Sequence, residues 1–166
     1  MSPLHQRGYD CIREYLAAAR MRHSEARRLL ERSHDLGAIY LYGYSVEMRV
    51  KAAYFHNAGL LREELITQQH RTDAVNMWTI LGLATPPRPH DIAGWATLAV
   101  AARSTAPSPL RPYEGAFGIE VVTRATSLYL IWRETLRYRS TQPLPRELRD
   151  VRSIADWFSS IEAKMI

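Results

Sequence analysis

The chain has 166 residues, 46% hydrophobic and 23% charged, enough for a single domain with a sizeable core and ordinary for a soluble protein. Its 22 basic against 17 acidic residues give a net charge of +5, and every basic residue except Lys51 and Lys164 is an arginine, a bias that permits phosphate or carboxylate binding without requiring it. The lone Cys11 excludes an internal disulfide, and no window reaches the ~18 uninterrupted apolar residues of a membrane helix.

In chain order, MSPLHQRGYD lacks the apolar run of a signal peptide, so a cytoplasmic location without membrane contact is expected. Tyr9, Ile12, Leu16, Ala19, His23, Ala26 and Leu30 then recur at alternating spacings of three and four, which predicts a helix over about 9–32. A second helix over about 36–57 carries Leu36, Ile39, Gly43, Val46, Val50 and Ala53 on one stripe, with Gly59 as its stop signal. Only SHDLG separates the two, which makes them an antiparallel hairpin.

The segment LREELITQQHRTDAVNMWTILGL predicts one or two shorter helices, and 61–88 reads as an element inserted between the second and third core helices. ATPPRPHD is a proline-stiffened loop, after which Asp91 is placed to cap a helix running to about Arg103. STAPSPLRPYEGAFG is the longest loop; a helix over about 119–138 follows, and after STQPLPREL a last helix presents Ile154, Trp157, Phe158, Ile161 and Met165. Nothing reads as a strand. The expected architecture is a single all-α, up-and-down bundle of four core helices with one or two extra.

Searches for chemistry are mostly empty. There is no glycine-rich phosphate loop, no CxxC and no histidine pair at metal-ligand spacing, so neither a metal site nor a cofactor is expected. Three segments rise above this background in order: AIYLYGYSVEMRVKAAY, HDIAGW from His90, and WRETLRYR from Trp132 to Arg139. Together they resemble the HEPN superfamily of small helical bundles, through Ala38, Leu41, Gly43, Tyr44, Val46, Glu47, Lys51 and Ala52 in the second helix, His90 and Ile92 at the next, and Trp132, Arg137 and Tyr138 before the last. Val50 stands where many relatives have leucine.

The resemblance implies a dimeric bundle that works beside a nucleotidyltransferase, or in a toxin–antitoxin or defence setting. Catalytic members are metal-independent ribonucleases with an arginine and a histidine four to six residues apart near the start of a late helix. Here Arg137 and Arg139 have no histidine within reach, and none occurs after His90. A non-catalytic binding or assembly module is therefore the leading expectation. The alternatives are an RNase using Arg137 with a displaced His90, and an accessory subunit that binds RNA or a nucleotide through Arg133, Arg137 and Arg139.

Glu47 is the odd residue of its helix. At ~100° per residue it shares the core-facing stripe with Gly43 and Tyr54, and a buried carboxylate needs a partner. Lys51, one turn on, is one candidate. Arg137 is the other, bridging Glu47 while Tyr138 packs beside Gly43.

Overall fold

The computed structural model describes residues 10–83, 88–105 and 112–166, without the side chains of Glu134 and Arg137. Tyr9, the first half of the proline loop, 106–111 and the side chain assigned to the Glu47–Arg137 bridge thus lie outside the described residues. The helices are α1 (Ile12–Glu31), α2 (Asp35–Asn57), α3 (Gln68–Ile80), α4 (Ile92–Thr105), α5 (Gly115–Ile131), α6 (Pro145–Ser160) and the single turn α7 (Glu162–Met165), with a 3-10 helix over Glu134–Tyr138. Among the described residues there is no strand, only an isolated antiparallel bridge between Cys11 and Leu65. The all-α bundle expected from the helical periodicities is the fold observed. No described helix is long and apolar enough to cross a membrane.

The α1–α2 hairpin turns within three residues. The His34 N–H returns to the Leu29 carbonyl at 2.9 Å and the Ser33 N–H to Leu30 at 3.0 Å, so carbonyls left over at the end of α1 find donors. Of the predicted seam of α1, Ile12, Leu16, Ala19 and Ala26 are buried.

The stripe read on α2 understated its burial. α1, α4 and α6 all pack on this helix, so Tyr42, Ala52 and Phe55 are buried as well as Ile39, Val46, Val50 and Ala53. At 23 residues α2 is about 35 Å long and forms the axis of the bundle.

Four polar residues of α2 are buried with it, each hydrogen-bonded, as burial requires. Ser45 Oγ donates to the Tyr42 carbonyl at 2.7 Å. Arg49, 1% exposed, spreads its guanidinium over Glu162 (3.0 Å), the Ser45 carbonyl (3.0 Å) and Ser159 Oγ (3.3 Å), tying α2 to the C-terminal turns. Asn57 donates to the Ala99 carbonyl and to Tyr113 Oη, both at 2.9 Å, and accepts from Arg103 at 3.1 Å. Glu47 is the fourth.

Among its described residues the 61–88 segment contains one helix, α3. Its N-terminus is closed by a Thr67–His70 capping box, and the six-membered ring of Trp78 abuts Gly94 of α4, where a Cβ would come within 2.2 Å of the indole. The helix expected over 119–138 is a different object. α5 begins earlier, because Phe117 is buried and the Glu114 carbonyl accepts from the Phe117 and Gly118 N–H groups. It ends at Ile131, where Trp132 turns extended and the chain re-forms as the 3-10 helix. α6 starts at Pro145, suited to a first helical position, with the Glu147 carboxylate accepting from the Leu144 N–H at 2.7 Å.

Candidate functional site at Glu47 and His90

Tyr40, Tyr44, Glu47 and Lys51 follow one another on α2 at spacings of four, three and four, which places them on one face of the helix. Two residues from outside α2 close over this face. Trp132 comes from the break after α5, and His90 from the turn that enters α4. Asp91 caps α4, accepting the Gly94 N–H at 2.9 Å, so the residue before it is held against α2.

Glu47 is 4% exposed and carries two partners. Lys51 Nζ donates to Oε1 at 2.5 Å, and His90 Nδ1 lies 3.1 Å from Oε1 and 3.0 Å from Oε2. A carboxylate accepts, so a hydrogen bond here has His90 Nδ1–H as its donor and leaves Nε2 for a further partner. The side chains of Glu47, Lys51 and His90 are 5%, 15% and 37% exposed, so the open side of the cluster belongs to the imidazole.

Aromatic rings fix the imidazole from the side. Tyr44 stands edge-on to His90 at 5.9 Å and to Trp132 at 5.2 Å, and Tyr40 stands edge-on to Tyr44 at 4.9 Å. The Trp132 Nε1–H donates to the Tyr40 carbonyl at 3.1 Å. Gly43 is what admits this indole: a Cβ there would come within 2.2 Å of it. This corrects the expected placement of Tyr138 beside Gly43, because Tyr138 is 75% exposed and Trp132 occupies the space.

The structure brings Glu47, Lys51 and His90 together and leaves the described late arginines elsewhere. Arg133 donates to the Tyr129 carbonyl at 3.0 Å and stacks 4.1 Å over the Tyr129 ring. Arg139 forks onto Glu147 at 3.2 and 3.3 Å and reaches Thr141 and Gln142. Both guanidiniums are thus already engaged within their own segment. The backbone of Arg137 lies in the 3-10 helix, while its side chain lies outside the described residues.

Tyr40, Tyr44, Trp132 and the neighbouring Arg88 were not singled out for this site by sequence. The two tyrosines had a readable signal in their helical register with Glu47 and Lys51. Arg88 precedes His90 by two residues, is exposed, and has no carboxylate partner among the described residues. No group of three or more His, Cys, Asp or Glu side chains is placed to hold a metal ion among the described residues.

Chemically, the cluster orients one imidazole through Nδ1 and leaves Nε2 at its open side, while Lys51 and Arg88 line an adjoining cleft. Such a surface suits an anionic group. Comparison with known proteins finds no matching family model, no matching curated protein and no matching solved structure.

Proposed function

We propose that this chain is a HEPN-like binding module without the ribonuclease pair, and that it takes a phosphate-bearing ligand, a nucleotide or RNA, at the face built from Glu47, Lys51, His90 and Arg88. The observation that carries this reading is the Glu47–His90–Lys51 cluster. A buried carboxylate holds one imidazole and one ammonium at a partly open surface, and two residues before the imidazole stands Arg88, exposed and without an ion-pair partner among the described residues. The same carboxylate ties α2 to the entrance of α4, so binding and fold stability share these residues.

The resemblance supports placing the module in a homodimer, next to a nucleotidyltransferase or within a toxin–antitoxin or defence system. The test is thermal stability against ATP, inorganic phosphate and a short RNA at low and high salt. A salt-sensitive rise in Tm with a phosphate-bearing ligand is expected, and no shift across the panel contradicts the reading. Size measurement at micromolar concentration reports the dimer, and a strict monomer contradicts that part.

One observation favours a second reading. Because the Glu47 carboxylate can accept a hydrogen bond from His90 Nδ1–H, Nε2 is disposed as a base of the kind that accepts a ribose 2'-hydroxyl proton in metal-independent RNA cleavage. RNA cleavage in chelator that is lost in His90→Ala supports it; intact RNA after prolonged incubation rejects it.

A further inference from the structure

Lys51 also borders a second feature. Between α2, α3 and α4 lies a cleft of about 180 Å³, open at one side. Its wall is aromatic: Phe55 and Trp95 have ring centroids 6.0 Å apart, and Trp78 meets Trp95 edge-on at 6.1 Å. Phe55 and Trp78 are each 1% exposed, so these rings hold their places, and Trp95 is pinned by its Nε1–H to the Pro89 carbonyl at 3.0 Å.

The rim is cationic, with Lys51, Arg71 and Arg88 among the residues that line the cleft. Their counter-charges are unequal. Lys51 is answered by Glu47 and Arg71 by Asp10, whereas Arg88 has no ion-pair partner among the described residues. The cleft therefore offers an apolar, ring-shaped wall and one surplus positive charge at its mouth. Lys51 Nζ, 5.3 Å from the centre of the Trp95 ring, joins the two.

We propose that this cleft binds a small ligand made of one planar ring system and one terminal anionic group, with the ring against Trp95, which Trp78 and Phe55 back from behind, and the anion on Arg88. The inference rests on the binding-module reading and narrows its ligand. The volume sets the size of the enclosed part: a dry apolar cavity of ~150 Å³ takes up benzene, so one ring or a fused pair fits inside and any linker to the anion lies at the mouth. A nucleoside monophosphate and an aryl carboxylic acid share this chemistry.

The experiment is a fluorescence and calorimetric titration of the full chain with adenosine monophosphate, indole-3-acetate, neutral indole and inorganic phosphate. Trp78 and Trp95 are the reporters. At least one of the two ring anions is expected to quench tryptophan emission and to bind at least about tenfold more tightly than indole or phosphate, because only it satisfies both ring and charge. Which one binds identifies the source. Arg88→Ala, at an exposed position that leaves the fold intact, should weaken that binding about tenfold, with Arg88→Lys intermediate.

No binding by either ring anion, or binding unchanged in Arg88→Ala, overturns the proposal. If RNA or ATP raises the Tm of the wild type while neither ring anion binds, the cleft assignment fails while the binding-module reading stands. If nothing in either panel binds the wild type, both fail.

Discussion

Replacing Glu47 with glutamine keeps the side chain's size and removes its charge. Lys51, whose side chain is 15% exposed, would then face a neutral amide, and His90 would lose its charged acceptor. Hydrogen bonds to charged groups contribute ~1.5 to 3 kcal/mol, and breaking a buried pair costs ~3 to 5 kcal/mol. Lys51 can swing partly towards water and the amide still accepts one bond, so the lower range applies, ~2 to 3 kcal/mol. For a chain of this size that lowers Tm by about 4 to 12 °C. The assay is urea and thermal unfolding of Glu47→Gln, Lys51→Met and the double variant. Lys51→Met removes the buried cation, so the double variant should be less damaged than the sum of the singles, by ~1 kcal/mol or more. A Glu47→Gln variant within ~0.5 kcal/mol of wild type, or strictly additive effects, would refute the reasoning.

Gly43→Ala forces a methyl group into the Trp132 indole. Overpacking costs ~1 to 3 kcal/mol against the ~1 kcal/mol that alanine gains over glycine in a helix, so a net loss in urea unfolding is expected and a gain would count against the close approach. Asn57→Ala strips partners from Tyr113, Arg103 and the Ala99 carbonyl at a site 1% exposed, and should cost ~2 to 3 kcal/mol by the same assay; a loss below ~0.5 kcal/mol would contradict the network. Acid should also destabilise the fold. Burial, reinforced by Arg49 at His23 and by Arg103 and Arg62 at His56, pushes both imidazoles below their ordinary value. The unfolded chain thus takes up protons first, and stability present above about pH 6.5 declines as the pH falls through that value towards the depressed folded values. The urea midpoint should be lower at pH 5.5 than at pH 7.5, and less so when both residues are glutamine; a midpoint that rises on acidification would reverse the sign. Burial and the nearby Asp73 push Tyr54 up to about 12, so ultraviolet titration of the folded protein should leave tyrosine un-ionised well above pH 10, and titration of every tyrosine at the free value would contradict its burial.

The parts of the fold that local patterning encodes were legible. The seam of α1 and the short turn after it specify a hairpin, because buried side chains must recur once per turn and a five-residue link leaves no other route. Burial of α2 on all sides was not legible, since a stripe identifies one apolar face and cannot count the neighbours around it. The break at Trp132 was missed for a related reason: the helical pattern runs on to Tyr138, and the chain leaves it so that one indole can reach Gly43 and the Tyr40 carbonyl. The site shows the same division. Glu47 and Lys51 are one turn apart and could be paired on paper, whereas His90 stands 43 positions away and arrives only because α4 packs on α2. The engagement of Arg133 with Tyr129 and of Arg139 with Glu147 is local and was in principle readable, had their neighbours been weighed beside their charge.

The most direct measurement is one metal-free reaction in which a short labelled RNA is incubated with the purified chain and followed by anisotropy and on a denaturing gel. The binding-module account predicts a salt-sensitive rise in anisotropy with the RNA intact. Fragments that vanish in His90→Ala would contradict it, and so would no RNA binding at low salt together with no rise in Tm from ATP or phosphate.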